Sequence, residues 1–183
     1  MSKFNKIETG IEGLFILEPT VFEDGRGFFL ESYHKKDFED IGLCMEFVQD
    51  NHSKSSRGVL RGLHFQVKKP QGKLIRVVKG EVFDVAVDLR VKSATYKKWY
   101  GLGLSEKNKR LFYVPEGFAH GFLVVSDSAE LQYKCTNFYD AKDEGGILWN
   151  APEIGIAWPL DGIEEVLLSE KDKKLPSLFV GGN

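Results

Sequence analysis

The sequence has few cysteines, few prolines and almost no excess of one charge, and each of these absences excludes a class of protein. Of 183 residues only Cys44 and Cys135 are cysteines, and neither lies in a CxxC or Cys/His spacing. A disulfide framework and a cysteine-based zinc site are therefore excluded, and we expect both thiols to be reduced. Because no segment rich in Pro, Ser or Gly divides the chain, we expect a single domain over residues 1–183.

The formal net charge is −2, and the lysines and arginines are scattered along the chain. Nucleic-acid binding requires a basic stripe, so we expect no nucleic-acid partner. No run approaches the roughly 18 apolar residues of a membrane span, and residues 1–6 lack the apolar core of a signal peptide. These absences predict a cytoplasmic protein without a membrane partner, in which any anionic ligand is bound by a local group of cations.

Short runs of β-branched and aromatic residues, separated by turn residues, dominate what the sequence does contain. This spacing is typical of an all-β sandwich or barrel, and fourteen phenylalanines supply bulk for packing two sheets. Helical patterns are confined to residues 34–41, with Phe38 and Ile41 facing inward, and to residues 169–174, which begin with a Ser cap. We predict strands at residues 14–17, 27–31, 46–49, 58–66, 74–78, 82–89, 99–104, 110–114, 120–125 and 130–135.

Two of the four histidines, His64 and His120, lie inside strand-like apolar runs close to cations. Imidazoles in such settings suggest proton transfer, although a buried structural histidine is the simpler alternative for either one. Strict alternation of side chains would place His64 on the face opposite to Arg61. Alternation also places Asp84 on the small, acidic face of its strand, where its carboxylate could hold His120 as a structural imidazole.

The spacing Pro115-x-Gly117-x-x-His120 resembles that of the β-barrel proteins called cupins. Metal-binding cupins also carry a His-x-His pair on an earlier strand, but the corresponding residues here are His64 and Gln66. Glutamine is a poor ligand for transition metals, so a complete set of metal ligands is hard to assemble. We therefore predict no bound metal and no cofactor, which leaves His64 free to act as a base and disfavours a metal-dependent dioxygenase.

Further motifs run in order along most of the chain. They lie at residues 25–29 (Gly-Arg-Gly-Phe-Phe), 47–53, 59–66, 71–74, 80–89, 114–122, 133–134 and 169–172 (Ser-Glu-Lys-Asp). Together they resemble the dTDP-4-dehydrorhamnose 3,5-epimerases, metal-free cupins of the rhamnose pathway, far more specifically than one motif would. The resemblance implies an all-β, cupin-type jelly-roll barrel with a few short helices, assembled as a homodimer with shared active sites. It also implies a nucleotide-linked 4-keto-6-deoxyhexose substrate, inverted at carbons 3 and 5.

For the chemistry, the resemblance implies a base, an acid and a cation. Both inverted carbons adjoin the ketone at carbon 4, so deprotonation gives an enolate, and imidazole suits the removal of such a proton near neutral pH. The resemblance assigns the base to His64, the carboxylate that orients it to Asp172, and the acid on the opposite side of the sugar to Tyr133. It implies that Lys73 and Arg61 are cations near the enolate oxygen, although either could instead be a solvated side chain.

The nucleotide half of the substrate needs cations for a diphosphate and a planar group for the base. The resemblance places Arg26, Arg61 and Lys171 on the phosphate side. It also implies that Tyr139 stacks on the thymine ring, and that Arg26 and Glu31 reach into the neighbouring subunit's pocket. Without the resemblance, Arg26 would be interpreted as a surface arginine in a hairpin turn. The full set of residues implied to contact substrate is Arg26, Glu31, Gln49, Asp50, Asn51, Arg61, Lys73, His120, Tyr139, Glu144 and Lys171.

Two alternatives of different kinds stay open. An enzyme of the same family could epimerise one carbon only, or act on another nucleotide or sugar, because the shape of the pocket is not visible in a sequence. A non-catalytic cupin that binds carbohydrate would be favoured if His64 or Tyr133 were missing, and both are present.

Overall fold

Thirteen strands and only two short helices form the regular structure of the chain in a computed structural model, which describes residues 3–177. Helix α1 spans Lys35–Asp40 and a 3₁₀ helix spans Asp172–Lys174. No helix within the described range is long and apolar enough to cross a membrane. The strands are β1 (Phe4–Glu8), β2 (Phe15–Pro19), β3 (Val21–Asp24), β4 (Gly27–Leu30), β5 (Gln49–Ser56), β6 (Leu60–Gln66), β7 (Lys73–Lys79), β8 (Glu81–Asp88), β9 (Trp99–Ser105), β10 (Leu111–Val114), β11 (Phe118–Val124), β12 (Ser128–Cys135) and β13 (Glu144–Gly146).

The strands form two antiparallel sheets that pack face to face. Six strands pair in the order β1-β2-β10-β7-β12-β5, and five pair in the order β13-β6-β11-β8-β9. A tight turn at Gly80, with φ of +74°, carries the chain from β7 in one sheet to β8 in the other. Strands β3 and β4 form a separate hairpin. The prediction of an all-β jelly roll with few short helices is confirmed.

The main core lies between the two sheets. Ile75 and Phe112 of the six-stranded sheet pack in one cluster with Ala86 and Phe122 of the five-stranded sheet, and all four are buried. Fully burying a large apolar side chain contributes roughly 1.5–3 kcal/mol relative to leaving it exposed, so this layer holds the sheets together. The alternation predicted for β8 is confirmed, because Val85 packs in a second cluster on the outer side while Ala86 faces the core.

Helix α1 covers part of the outer face of the six-stranded sheet. A single helix of six residues is not stable in water, so packing must hold it in place. Phe38 is 1% exposed and meets the ring of Tyr33 edge-on, with 5.0 Å between the ring centroids. The N–H of Asp37 donates to Nδ1 of His34, which caps the helix at 3.2 Å. The helix predicted at residues 34–41 is confirmed, with Phe38 facing inward.

The strand predicted at residues 46–49 is wrong in position. The structure has no strand before Gln49 in this region, and β5 continues from there through a sequence of polar residues to Ser56. A strand without apolar alternation gives no periodic signal, and this one is polar because its inner face borders a cavity instead of the core. The short strands β1, β3 and β13 were not predicted either.

The helix predicted at residues 169–174 is also wrong in extent, because only its last three residues form a 3₁₀ turn. Pro176 disfavours a helical conformation at Leu175, whose ψ of 144° is extended. The predicted cap does form, since the N–H of Asp172 donates to Oγ of Ser169 at 3.1 Å.

A bulge in β6 decides which way its polar side chains point. Where β6 pairs with β11, Gly62 and Leu63 together lie opposite the single residue Gly121. The extra residue interrupts the alternation of side chains, so Arg61 and His64 line the same cavity. The prediction that they lie on opposite faces is wrong for this reason.

The bulge depends on a pair of glycines. Gly62 has a φ of +121°, which side-chain-bearing residues rarely adopt. A Cβ on Gly62 would lie 2.6 Å from the Cα of Gly121, and a Cβ on Gly121 would lie 2.7 Å from the carbonyl oxygen of Arg61. The two backbones thus approach each other more closely than any larger residue would allow.

Candidate active site

Two adjoining cavities lie between the sheets, with volumes of about 450 Å³ and 310 Å³. His64, Lys73 and Tyr133 line both of them, so these three side chains lie where the cavities meet. A ligand with two chemically different halves can occupy both spaces at once. Of the other predicted residues, Arg61, His120, Lys171 and Asp172 line the larger cavity, and Gln49, Asn51, Tyr139 and Glu144 line the smaller one.

Asp172 orients His64 from the C-terminal segment. Nε2 of His64 lies 2.6 Å from Oδ1 of Asp172, whose side chain is 4% exposed. Burial alone would raise the pKa of Asp172, but hydrogen bonds from His64, Ser169 and the backbone N–H of Gly62 hold that pKa below its usual value. A charged carboxylate can only accept a hydrogen bond, so Nε2 carries the proton and donates it to Asp172. The lone pair of the neutral imidazole therefore lies on Nδ1. Nδ1 is the atom of His64 that can act as a base.

The second imidazole is also held by a carboxylate. Nε2 of His120 lies 2.8 Å from Oδ1 of Asp84, which is fully buried. The other oxygen of Asp84, Oδ2, is buried without a hydrogen-bond partner among residues 3–177. The side chain of His120 is 10% exposed, against 29% for His64. His120 therefore has the carboxylate partner expected of a structural imidazole, and it also lines the larger cavity.

Lys73 brings a desolvated amino group to the junction of the cavities. Burial lowers the pKa of Lys73, and the negative potential of Cys135, Asp84 and Glu144 only partly opposes this shift. Within residues 3–177 Lys73 forms no ion pair. A desolvated amino group is suited to interact with negative charge that develops on a ligand.

Tyr133 reaches the same junction from β12. It lies opposite Ile75 of β7 and Asn51 of β5, so its strand is paired on both sides. Burial raises the pKa of Tyr133, and the nearby positive charge of Arg61 offsets only part of this shift. The phenol therefore keeps its proton at neutral pH and can act as a proton donor.

Glu144 connects the base to the rim of the smaller cavity. Its Oε1 lies 3.9 Å from Nδ1 of His64, and its Oε2 accepts hydrogen bonds from Nζ of Lys171 and, at 2.5 Å, from the hydroxyl of Tyr139. Burial would raise the pKa of Glu144, but Lys171, Tyr139 and His64 hold it below the usual value. The hydrogen bond to Glu144 raises the pKa of Tyr139 to about 12. Glu144 is thus a carboxylate that stabilises positive charge on His64.

The stretch at residues 49–51 divides between the two faces of β5. Gln49 and Asn51 face the smaller cavity, where Nε2 of Gln49 donates to Oδ1 of Asn51 at 3.0 Å. Asp50 lies between them and points to the opposite face, where it pairs with Lys134 at 2.9 Å and is 71% exposed. Alternation along a strand requires this arrangement. The side chain of Asp50 therefore lines neither of the two cavities of the candidate site.

Arg26 and Glu31 also lie outside both cavities of their own chain. Arg26 is at the tip of the β3–β4 hairpin, where it pairs with Asp24 and its side chain is 91% exposed. Glu31 pairs with Lys3 at 2.7 Å. One protomer does not bring these two residues to the site, and their expected role in a neighbouring subunit stays a prediction.

Some residues that shape the site were not predicted from the sequence. Oγ of Ser55 accepts from Nε of Arg61 at 3.0 Å and fixes its direction. The side chain of Gln66 bonds only to backbone groups of two loops. Serine and glutamine in such positions have no distinctive spacing. For Gln66, the usable signal was its place in the His-x-His position of metal-binding cupins.

The one group of close potential metal ligands in the described region lies away from the cavities. Within residues 3–177, Glu31, His34 and Asp37 have potential ligand atoms within 4.8 Å of one another, but none of the three lines either cavity. Gln66 occupies the position of the second histidine of metal-binding cupins, and both of its amide hydrogens are donated to backbone carbonyls. The site is thus built from acid–base groups.

A jelly roll that encloses a carboxylate-bound histidine, a desolvated lysine and a protonated tyrosine is a cupin-type barrel equipped for proton transfer on a bound ligand. Comparison with known proteins narrows this class. Residues 8–179 match the family described as dTDP-4-dehydrorhamnose 3,5-epimerase. The chain belongs to this family, and it is an epimerase.

Curated relatives cover nearly the whole chain. The dTDP-4-dehydrorhamnose 3,5-epimerase of Methanothermobacter thermautotrophicus is 53% identical over 173 residues, which cover 94% of each chain. That of Shigella flexneri is 56% identical over 170 residues, 92% of each chain. A protein of Streptomyces niveus named dTDP-4-dehydrorhamnose 3-epimerase is 43% identical over 166 residues, 90% of this chain and 79% of the relative.

Solved structures share the fold. A dTDP-6-deoxy-D-glucose-3,5-epimerase of Legionella pneumophila in complex with dTDP-4-keto-L-rhamnose superposes with a TM-score of 0.93 and 48% identity, over 97% of this chain and 95% of the other. For the dTDP-4-dehydrorhamnose 3,5-epimerase of Bacillus anthracis with TDP and PPi bound, the TM-score is 0.91 and the identity 46%, over 96% of this chain and 99% of the other. For a 3′-monoepimerase from Streptomyces bikiniensis in complex with dTDP-quinovose, the TM-score is 0.84 and the identity 33%, over 91% of this chain and 84% of the other.

Proposed function

We propose that this protein is a dTDP-4-dehydrorhamnose 3,5-epimerase, which inverts carbons 3 and 5 of dTDP-4-dehydro-6-deoxy-D-glucose to give dTDP-4-dehydro-L-rhamnose. The observation that carries the proposal is the meeting of His64, Lys73 and Tyr133 at the junction of two cavities. Relatives that are 53–56% identical over more than nine-tenths of this chain have that name.

His64 is the base in this proposal. Nδ1 removes the proton from carbon 3 or carbon 5, and the electrons of the broken C–H bond move into an enolate whose charge collects on the oxygen at carbon 4. The imidazolium that forms is stabilised by Asp172 at Nε2 and by the carboxylate of Glu144, 3.9 Å from Nδ1. A positioned general base contributes about 10²–10⁴ in rate.

Lys73 stabilises the enolate oxygen. Because its amino group is desolvated and unpaired within the described residues, it can interact strongly with an oxyanion in the cavity. One well-placed donor of this kind offsets about 3 kcal/mol of the barrier. Arg61, which Ser55 holds at 3.0 Å, adds a second positive charge to the same cavity.

Tyr133 completes the inversion by giving its proton to the face of the sugar opposite to His64. Its pKa, raised by burial, keeps the proton on the phenol until the enolate is present. The resulting phenolate and the imidazolium of His64 then exchange protons with solvent, and the cycle is repeated at the second carbon. Opposite faces for the base and the acid account for inversion instead of return to the starting configuration.

The nucleotide occupies the smaller cavity in this proposal. Tyr139 stacks on the thymine ring, Gln49 and Asn51 offer amide groups, and Lys171 lies near enough to meet the diphosphate. Lys171 is paired with Glu144 in the ligand-free chain, so the diphosphate competes for this cation.

The site is shared between two subunits in this proposal. The β3–β4 hairpin of one chain exposes Phe22, Phe28 and Phe29, each more than half exposed, together with Arg26 at its tip. Exposed apolar side chains of this size support an interface, and a second copy of the chain is the proposed partner. In the dimer, Arg26 and Glu31 contribute to the pocket of the other subunit.

Proton NMR of dTDP-4-keto-6-deoxyglucose in deuterated water tests the proposal. The protein should introduce deuterium at both carbon 3 and carbon 5, and His64→Ala should reduce both rates at least a hundredfold, as expected for loss of a general base. Treatment with EDTA should leave the rates unchanged. An EDTA-induced loss that iron, zinc or manganese restores would overturn the metal-free mechanism.

A single epimerisation is the second candidate, favoured by the 43% identity to the 3-epimerase of Streptomyces niveus. Deuterium at carbon 3 alone would establish it. Absence of deuterium at both carbons, with nucleotide binding intact, would instead indicate a carbohydrate-binding protein without catalysis.

A further inference from the structure

Gln66 is the last residue of β6, two positions after His64, and it is 7% exposed. Its Nε2 donates to the carbonyl oxygens of Lys69 at 2.6 Å and Phe138 at 3.1 Å, and its Oε1 accepts from the N–H of Asp140 at 2.7 Å. Both donors and the acceptor of the amide are therefore used. All three bonds are made to backbone groups, and Gln66 also lines the smaller cavity.

The bonds from Gln66 are made on both sides of Tyr139. Phe138 and Asp140 are its chain neighbours, and the N–H of Tyr139 itself donates to Oε1 of Gln49 at 2.9 Å. The backbone of three consecutive residues is thus fixed by two glutamine side chains. Tyr139 is 53% exposed, so core packing does not determine where its ring lies. Its position follows from the backbone and from the hydroxyl contact with Glu144.

Other bonds join the same two loops, at residues 67–72 and 136–143. The carboxylate of Asp143 accepts from the N–H groups of Lys68 and Lys69, each with a distance below 3.0 Å. Nε2 of Gln71 donates to the carbonyl oxygen of Asn137 at 2.7 Å. Gln66 lies at the inner end of this unit, where it connects the loops to the strand that carries the proposed base.

We infer that Gln66 is a positioning residue for nucleobase recognition: by holding the backbone on both sides of Tyr139, it presets the aromatic ring on which the thymine stacks. The inference rests on the proposed function of Tyr139. It assigns to Gln66 a separate task from that of His64 on the same strand, since Gln66 serves the nucleotide half of the substrate and not the sugar half. Preorganisation of this kind lowers the cost of ordering a loop when ligand binds.

Gln66→Met tests the inference, because methionine has similar length and no hydrogen-bonding amide. Stacking of one base on an aromatic ring is worth about 1–3 kcal/mol, so partial loss of the preset ring should raise the Kd for dTDP about tenfold. The Kd for inorganic pyrophosphate, measured by the same titration calorimetry, should change less than about twofold, since a diphosphate alone does not contact the ring. With the full substrate, KM should rise while kcat stays near the wild-type value.

The matched control is Gln132→Met, the same change at an exposed position on the outer face of β12, which should alter neither Kd. A second variant, Gln66→Glu, keeps an acceptor for the N–H of Asp140 but loses both donated bonds, and it should also weaken dTDP selectively. Equal weakening of dTDP and pyrophosphate, or no change in either, would overturn the inference.

Amide hydrogen exchange tests, without any ligand, whether Gln66 holds the backbone on both sides of Tyr139. In Gln66→Met the N–H of Asp140 loses its acceptor, so it should exchange at least about tenfold faster, while amides of β11 keep their protection. Unchanged exchange at Asp140 would contradict the inference even if nucleotide binding were weakened. Failure of the wild-type protein to bind dTDP would contradict the proposed function, and the exchange experiment would still decide whether Gln66 orders this loop.

Discussion

Two histidines with similar sequence surroundings have different neighbours in the structure. His64 is partly exposed and has an acidic group near each ring nitrogen, Asp172 at 2.6 Å and Glu144 at 3.9 Å. His120 is nearly buried, and Asp84 at 2.8 Å is its acidic partner among residues 3–177. The difference supports a base at His64, where a lone pair faces the cavity and a positive charge can be stabilised.

Asp172 makes stability depend on pH in a defined direction. Its pKa is lower in the folded protein than in the unfolded chain, so the folded state binds fewer protons at this group. The stabilisation is fully present above the ordinary aspartate pKa of about 3.9 and is lost as the pH falls through the lower folded value. Asp172→Asn should therefore be less stable than wild type at pH 6, and the difference should shrink as the pH falls below 4.

Urea unfolding at several pH values from 7 to 3 measures this difference. Asp127→Asn is the control for removal of a carboxylate, because that side chain is fully exposed. A difference between Asp172→Asn and wild type that stays constant across this range would contradict the role of the charged carboxylate.

At the scale of elements, apolar alternation predicted the long strands that carry alternating core residues and missed the polar strand β5. β8 was predicted closely because its alternate residues pack in two apolar clusters. β5 was missed because a strand whose inner face lines a cavity has no need of apolar residues there. The acid–base residues were predicted from resemblance, while Ser55 and Gln66 were not, since their role depends on which backbone groups lie nearby.

The bulge in β6 could not be predicted from periodicity, since it requires knowing which strand pairs with β6. A Cβ on Gly121 would lie 2.7 Å from the carbonyl oxygen of Arg61 and 2.8 Å from Cδ2 of Leu63. Gly121→Ala should therefore displace β6 and misplace Arg61 and His64. We expect kcat to fall about a hundredfold, as misplacement by about 1 Å can cause, with a loss of about 1–3 kcal/mol in stability.

Gly103→Ala is a matched control on β9, because the nearest atom to its Cβ would be a side-chain oxygen of Glu81 at 3.5 Å. Steady-state kinetics and thermal unfolding should show little change for this variant. If Gly121→Ala retained the activity of Gly103→Ala, the glycine pair would have no role in positioning the site.

At the scale of the whole molecule, the proposed dimer predicts complementation between two inactive variants. Arg26→Ala removes the side chain that is proposed to enter the partner subunit's pocket, and His64→Ala removes the base from the chain's own pocket. In a mixed dimer, the pocket of the Arg26→Ala chain keeps His64 and receives an intact Arg26 from its partner. Random mixing of equal amounts should give half mixed dimers, each with one complete site, and hence about a quarter of wild-type activity.

Subunit exchange between the two purified variants, followed by an activity assay, checks this prediction. The arrangement of chains could be expected from family resemblance, and the exposed hairpin supports it with Phe22, Phe28 and Phe29. Activity that stays at the level of the separate variants after verified exchange would show that each chain forms its site alone.

The central claim is that His64 and Tyr133 act on opposite faces of the sugar, and Tyr133→Phe tests it most directly. The substitution keeps the packing of the ring and removes the acid, while the base, Lys73 and the cavity stay in place. The measurement is the ratio of deuterium incorporation to inversion, followed by proton NMR in deuterated water. Inversion should fall by about two orders of magnitude or more, as for loss of a general acid, while exchange continues through His64, so the ratio should rise. If exchange and inversion fall by the same factor, or neither changes, the assignment of base and acid to opposite faces is wrong.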